Sequence, residues 1–265
     1  MKHEIKVMSF NMRCNVASDG VNCFDCRRNK ILDVLNRENP DVIGFQEITP
    51  DMLIWLENVL GGRYTVLGHG RDKDYGGEAN PIAYRTSRFS LHSYSMGWLS
   101  KTPEIPGSRL TDADQSGCPR IYCYAELIDR VAHTKFAFIN THTDHKGVMA
   151  RMFECNMLME LIRSKGVPFA MVGDFNDFSH TEPIKLILDT HDELGTCDAT
   201  KLIKGSFHHF SMERILQNNK KIDYIFTNLP HDPARSYAVA DDDSCGHFYS
   251  DHQALCAYLT LNNND

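Results

Sequence analysis

Carboxylates, carboxamides and histidines recur at the ends of apolar runs in this chain. The sharpest case is Met171-Val172-Gly173-Asp174-Phe175-Asn176-Asp177, where a buried-strand pattern over Pro168–Val172 stops at Gly and then at Asp-x-Asn. On an extended backbone Asp174 and Asn176 point the same way, one bringing negative charge, the other a neutral oxygen and an N–H pair. Alone, the stretch reads equally as a strand followed by an Asx turn. Asn11, Glu47, His142, Asp144, Asp223, Asp251 and His252 close or follow other strand-like runs. Gathered at one sheet end, these carboxylates repel one another unless a cation sits among them. Oxygen-rich, thiol-poor donors suit a hard ion such as Mg²⁺ or Mn²⁺, and two histidines add proton transfer and anion binding. A hard cation, an activated water and an acidic helper are the requirements of phosphoester hydrolysis.

The elements that must position these groups follow from periodicity. Glu4–Met12 alternates as a strand ending at Asn11, and a loop over Cys14–Asp25 leads to a helix over Cys26–Glu38 that Asn39-Pro40 closes. Asp41–Phe45 is a short strand, and Thr49-Pro50 opens a helix running to Leu60. Strands are expected over Tyr64–Gly70, Pro81–Arg85, Phe89–Leu99, Ile121–Ile128 and Lys135–Asn140, with a long irregular loop over Lys101–Pro119. Lys146–Lys165 is the longest expected helix, with Ala150, Phe153, Met157, Leu158 and Leu161 on its apolar side. A short helix over Ile184–Leu188, a weakly patterned Ser206–Gln217, a strand over Lys221–Asn228 and a last strand over Ala254–Leu261 complete the chain before a polar tail, Asn262–Asp265. Without repeats or low-complexity linkers, one domain over residues 1–265 is the expectation.

Composition narrows the classes. The 265 residues are 42% hydrophobic, enough for a sizeable core, and carry a net charge of -7. An acidic chain gains little from counterion release on a long polyanion, which weighs against nonspecific binding of long nucleic acid. The expectation is a cytoplasmic protein that does not associate with membranes, with no obligate protein partner and with reduced thiols: the nine cysteines are scattered. Cys23-Phe24-Asp25-Cys26 is a CxxC with no second pair to complete a metal site, and its cysteines read as small apolar residues.

Six motifs occur in order: Ser9-Phe10-Asn11, Gln46-Glu47, Asn140-Thr141-His142, Gly173-Asp174-Phe175-Asn176, Ile222-Asp223-Tyr224-Ile225 and Ser250-Asp251-His252. In this the chain resembles the endonuclease/exonuclease/phosphatase superfamily, which includes DNase I-like nucleases, abasic-site endonucleases, sphingomyelinases, inositol 5-phosphatases and the deadenylase/nocturnin group. Gly77-Glu78, Asn80-Pro81-Ile82, Trp98–Pro103, Pro106-Gly107-Ser108 and Cys118-Pro119-Arg120 look like a small stand-alone bacterial and fungal branch near the deadenylase side. The family's Trp-x-x-Arg is replaced by Phe24-Asp25-Cys26-Arg27, and Thr143 stands where Leu is usual.

The resemblance implies an α/β fold, a four-layer sandwich of two mainly antiparallel sheets packed face to face with helices outside. It also implies roles. Glu47 is then the main metal ligand, with Asn11 beside it and Asp251 completing the shell of one or two Mg²⁺ or Mn²⁺ ions. Asp174 orients or deprotonates the attacking water, and Asn176 positions the water or the phosphate. His252, oriented by Asp223, clamps the phosphate, and His142 holds a phosphate oxygen or assists the leaving group. Arg120 is a candidate fork for phosphate oxygens, while Arg13, Glu78, Asp144 and His145 are candidates to support the site from behind. The substrate expected is a phosphorylated small molecule or a short nucleic acid, cleaved by a phosphodiesterase-like hydrolase. A nuclease on long DNA or RNA is the alternative, for which Lys201–Lys204 and Asn218–Lys221 are the only basic segments. A non-catalytic binding protein on the same fold is the alternative from another class.

Overall fold

A computed structural model describes residues 2–262; of the expected polar tail, Asn262 ends the last strand and residues 263–265 lie outside the described residues. The chain runs β1 (Lys2–Asn11), α1 (Phe24–Glu38), β2 (Val42–Gln46), α2 (Pro50–Leu60), β3 (Tyr64–Leu67), β4 (Ile82–Arg85), β5 (Phe89–Trp98), β6 (Ile121–Asp129) and β7 (Thr134–His142). It continues through α3 (Val148–Lys165), β8 (Phe169–Asp174), α4 (Glu182–Leu188), α5 (His191–Leu194), β9 (Cys197–Asp198), α6 (Met212–Gln217), β10 (Asp223–Thr227), β11 (Tyr237–Ala238) and β12 (Leu255–Asn262). One six-stranded sheet has the order β11-β12-β1-β2-β4-β3, the other β5-β6-β7-β8-β10-β9. Each is mixed: β1–β2 and β7–β8 are parallel and the remaining pairs antiparallel.

Three apolar clusters separate four layers. Val7, Val42 and Ile82 from the first sheet meet Phe136, Val172 and Ile225 from the second. Outside the first sheet, Ile31 and Leu35 of α1 and Met52 and Leu56 of α2 pack on Phe10, Ile43 and Phe45. Outside the second, Cys155, Leu158 and Ile162 of α3 and Ile184 of α4 cover Ile139, Met171 and Phe226. This is the four-layer sandwich the resemblance implied, with helices on both outer faces.

Local chemistry explains most boundaries. Asn39 ends α1 in the left-handed region at φ 45°. Pro50 opens α2, but the Thr49 hydroxyl donates to Asp51 (2.6 Å) instead of capping a backbone N–H. The 3₁₀ segment Ala17–Asn22, α5, β9 and β11 were not anticipated; at two to six residues they are too short to show a period. The buried face of α3 differs from the expected one. Arg151, Glu154, Cys155, Leu158, Met159 and Ile162 point inward, and Phe153, Met157 and Leu161 are only partly buried. The helix is turned by its polar residues: Arg151 donates to Asp177 (2.7 Å), and Glu154 accepts from the Asp144 N–H (2.8 Å).

Beneath the site the sheets are tied by a buried carboxamide pair. Gln46 of β2 donates to Asn140 of β7 (2.7 Å), and Asn140 donates to the carbonyls of Phe45 (2.7 Å), Asn80 and Pro81 (both 3.0 Å). Gly44 permits this approach, because a Cβ there would lie 2.4 Å from Val172 Cγ2 and 2.7 Å from Asn140. Asn140→Ala is expected to destabilise the fold by about 3 kcal/mol or more, since it orphans several buried polar groups at once. Urea denaturation checks this; a loss below about 1 kcal/mol would show that the tie contributes little.

Candidate active site

Strand register brings the candidate residues together. In the second sheet His142 lies opposite Asp174, and Asp174 opposite Asp223, so β7, β8 and β10 present three polar ends in one row. In the first sheet Asn11 lies opposite Gln46, with Glu47 the next residue at φ 62°. Asp251 and His252 come from the segment before β12. They are fixed there by the N–H groups of His208 and His209, which donate to the Asp251 carbonyl (2.9 and 3.0 Å), and by a bridge between Phe207 and His252. Arg27, fully buried, donates to the carbonyls of Met12 and Tyr249 (both 2.7 Å), Arg13 (2.9 Å) and Asn22 (2.6 Å), clamping the segments that carry Asn11 and Asp251.

Asp174 is the hub. Its Oδ1 accepts the Asn176 N–H (2.8 Å) and its Oδ2 the Asn11 amide (3.1 Å), and Nε2 of both His142 and His252 lies 3.7 Å from Oδ2. The strand ends at Asp174, and Asn176 turns left-handed at φ 51°, so the two side chains do not project together from an extended backbone. The Asx turn and the functional reading hold at once. The turn directs Asn176 Nδ2 to the Thr143 carbonyl (3.0 Å), while the Thr143 hydroxyl braces the Phe175 carbonyl (2.6 Å).

Electrostatics separates the two histidines. His252 Nδ1 donates to Asp223 (2.8 Å). Burial opposes its charged form, but Asp223, Asp251 and Asp174 outweigh this and raise its pKa to about 10. His142 is held well below the usual histidine range by burial and by the charges of Arg120 and Arg71. One ring is therefore an imidazolium and the other neutral at pH 7, an arrangement that divides acid and electrostatic roles. Burial, reinforced by Asp223, pushes Asp174 up to about 7. Burial also raises Asp251, with Glu47 adding to the effect and His252 opposing it. For Glu47 burial is overcome by His252, the Cys14 N–H (3.0 Å) and Asn11, and its pKa falls.

Glu47, His142 and Asp174 offer ligand atoms within 4.8 Å of one another, as do Asp174, Asp223 and His252. The second group is spent on the Asp223–His252 bond, leaving the Glu47 side for a cation. Carboxylates crowded enough to raise Asp251 and Asp174 form a donor set that fits a hard divalent ion. Asn11 as it stands is a donor: Nδ2 faces Glu47 (3.0 Å) and Asp174, while Oδ1 accepts the Arg13 N–H (2.9 Å). Ligation by Asn11 requires its carboxamide to turn over.

The remaining expected residues take distinct positions. Arg120 is buried in the pocket wall, with Nη2 2.8 Å from His145 Nδ1 and Nε in an ion pair with Asp144 at 3.7 Å, and among the described residues neither Nε nor Nη1 has a hydrogen-bond partner. Asp144 lies behind the site, accepting from Ser116, Lys146 and Gly147, and so anchors the Lys101–Pro119 loop. Arg13 forks onto Asp19 (2.9 and 3.0 Å), with Glu47 and Asp251 at 3.9 and 4.0 Å. Glu78 faces the pocket paired to Arg71 (2.9 Å), and burial raises its pKa. Arg71, Phe207 and His209 line the same pocket and were missed, and Lys220, from the basic segment Asn218–Lys221, lines it with them. A charge pair flanking the Gly76-Gly77 turn was the available signal for Arg71. Phe207 and His209 lie in the weakly patterned Ser206–Gln217.

A sandwich of two six-stranded mixed sheets, with polar strand ends meeting at one edge and helices outside, is the DNase I-like α/β architecture. The chain matches the Endonuclease/Exonuclease/phosphatase family over residues 8–252 and belongs to it. Its fold is similar to an endonuclease/exonuclease/phosphatase from Bacteroides vulgatus, with TM-score 0.85, 25% identity, and 98% of this chain and 100% of that one covered. It is also similar in fold to a mannosyl-6-phosphatase from Bacteroides thetaiotaomicron, with TM-score 0.78, 24% identity, and coverage of 97% and 99%. An uncharacterized protein of Acanthamoeba polyphaga mimivirus is 28% identical over 172 residues; the match spans 62% of this chain and 61% of the viral protein. No helix among the described residues is long and apolar enough to cross a membrane.

Proposed function

We propose that this protein is a divalent-metal-dependent phosphoester hydrolase, a phosphodiesterase in character, acting on a small or short phosphorylated substrate. The observation that carries the reading is the composition of one pocket of about 400 Å³. It is lined by Glu47, Glu78, Asp174 and Asp251, by Arg13, Arg71, Arg120 and Lys220, and by His142 and His252 in opposite charge states. Four acids facing four strongly basic side chains and the His252 imidazolium leave the site able to take a cation and then a phosphate. The volume is that of a small-molecule site, not of a duplex groove, and the same fold houses a mannosyl-6-phosphatase.

Glu47 and Asp251, with Asp174 alongside, would hold Mg²⁺ or Mn²⁺. Such an ion, when bound, polarises the phosphoryl oxygen and lowers the pKa of water. Asp174, raised to about 7, is suited to accept a proton from the attacking water at neutral pH. His252 is a fixed cation whose Nε2 faces the carboxylate row. With Asp223 holding Nδ1, it can stabilise charge on the equatorial phosphate oxygens. Arg120 Nη1, without a hydrogen-bond partner among the described residues, can donate to non-bridging oxygens. Neutral His142 and the Asn176 carboxamide complete the donors around the phosphate.

The test is hydrolysis of bis-p-nitrophenyl phosphate, a p-nitrophenyl monoester, mononucleotides, oligo-A RNA and plasmid DNA in Mg²⁺ and Mn²⁺. Diester hydrolysis should vanish with EDTA and return with either ion. Glu47→Gln should lose metal-dependent turnover by at least about 100-fold; if it retained full activity, Glu47 would not hold the metal. Robust plasmid nicking would overturn the small-substrate reading, and inactivity throughout would favour a binding protein.

A further inference from the structure

A second cavity, of about 610 Å³, adjoins the catalytic pocket. Phe178, Ser179 and His180 form one wall, Asp198, Lys201, Ile203 and Lys204 another, and Asn219 and Lys221 the side shared with the site. The two hollows are separated by very little chain. Asn176 lines the catalytic pocket and Phe178 the cavity; Lys220 and Ile222 line the pocket, and Asn219 and Lys221 the cavity. Two residue steps span at most about 7 Å. The Tyr224 hydroxyl lies between the segments, 3.0 Å from the Asp177 carbonyl and 3.5 Å from that of Lys221.

The cavity's chemistry is specific. Phe178 and His180 stack at 5.7 Å with 9° between their planes, and Phe178 is 37% exposed, so a flat aromatic face is on offer. The one carboxylate in the lining, Asp198, is saturated by Lys221 (2.5 Å) and by the Thr200 N–H and hydroxyl (2.8 and 2.6 Å). Lys201 and Lys204 are exposed and, among the described residues, unpaired. Between cavity and site, Lys220 Nζ lies 4.3 Å from the Phe207 ring, and Phe207 lies 4.8 Å from the His252 ring. The two basic segments of the sequence thus line neighbouring hollows, Lys201, Lys204 and Lys221 beside Phe178 in the cavity and Lys220 beside Phe207 in the catalytic pocket. Bases stack on rings of this kind and phosphates track the cations between them. A sugar phosphate would leave the Phe178 face, Leu188 and Ile203 without a partner.

We propose that this cavity is a nucleotide subsite, stacking one base on Phe178 while Lys201 and Lys204 hold an adjacent phosphate, so that the substrate is a short single-stranded nucleic acid. The proposal rests on the reading of the neighbouring pocket as the phosphoester site. The net charge of -7 limits binding to a few nucleotides, held by these lysines, Lys220 and the pocket arginines.

The experiment compares a 5′-phosphorylated dinucleotide, pApA, with bis-p-nitrophenyl phosphate, using the wild type, Phe178→Ala and Lys201→Ala/Lys204→Ala. Each variant should lose roughly tenfold in kcat/KM on pApA, carried by KM, as expected for one base stack. Each should stay within about twofold of wild type on the nucleoside-free diester. Removing both lysines should also lower the salt slope of pApA binding by about 0.7, the value for losing one phosphate contact on a single strand. Equal effects on both substrates, or none on pApA, would overturn the subsite. Calorimetric binding of pApA in EDTA, with inorganic phosphate as control, separates the two readings. If the wild type hydrolyses the diester while pApA binds wild type and variants alike, the subsite fails and the catalytic reading stands. If the wild type hydrolyses nothing while the variants lose pApA binding, the catalytic reading fails and the subsite stands.

Discussion

Asp174→Asn is expected to lower kcat by about 100- to 10,000-fold, the range for losing a general base, and to make the metal-free protein more stable above pH 7. The wild-type carboxyl is buried and raised from the ordinary 3.8 to about 7. A carboxyl whose folded pKa lies above its unfolded one binds more protons when folded. Its ionisation therefore costs stability progressively as pH rises from about 4 to about 7, and fully above that. Each unit of the shift is worth about 1.4 kcal/mol. The amide carries no such cost, so the two proteins should unfold at similar urea concentrations at pH 4 and diverge by pH 8, with the variant ahead. Part of the gain will be offset, because the Asn11 Nδ2 that donates to Asp174 must turn away from a new amide donor. Adding Mg²⁺ should favour the wild type, since an ion that binds the native carboxylates stabilises by mass action. A variant that keeps more than about a tenth of wild-type kcat, or that shows no pH-dependent gain, would remove Asp174 from this role.

His252→Ala should cost about 100- to 1,000-fold in kcat, the scale for removing a preorganised charge stabiliser, with the opposite effect on stability. The folded imidazolium has its pKa raised from 6.5 to about 10. A raised histidine contributes stability that is fully present below about 6.5 and is lost as pH rises through about 10. The variant lacks that contribution and leaves Asp174, Asp223 and Asp251 without their shared cation. It should therefore be markedly less stable than wild type at pH 6 and approach it near pH 10, as thermal unfolding across that range would show. Two substitutions with similar catalytic losses would then move stability in opposite directions. A purely structural account of either residue does not produce that pattern. Equal stability of His252→Ala and wild type at pH 6 would mean that the ring is neutral in the native protein.

The sequence was most legible where a regular element ends. Asn11, His142, Asp174 and Asp223 each close or open a strand, and a period-2 run that halts at a polar residue is visible without any structure. The layer order followed from the same runs together with the family resemblance. Geometry beyond the strand ends was not legible. The Asx turn at Asn176 was one reading of its stretch, but the Thr143 carbonyl its side chain meets, and the inward rotation of Arg151 and Glu154 on α3 toward Asp177 and Asp144, depend on partners elsewhere in the chain. Arg27 read only as a remnant of a family motif, yet its guanidinium reaches four carbonyls from three segments. Lys201, Lys204, Phe207 and Lys220 carry no periodic signal, and only the fold brings Phe207 and Lys220 alongside the carboxylates and the other two into the neighbouring cavity.

The pairing of β1 with β12 has a consequence for synthesis. Asn11 and His252 are 241 positions apart in the chain, yet their side chains come to 3.5 Å. Asp251 and His252 immediately precede β12, which docks beside β1 in the middle of its sheet and brings them to Asn11. A nascent polypeptide on the ribosome therefore displays Asn11 and Glu47 long before it can assemble the carboxylate–imidazolium row. The chain stays chemically silent toward phosphoesters until its final strand has emerged and paired. A truncation ending before Leu255 should be inactive for want of a site, whatever remains of the second sheet.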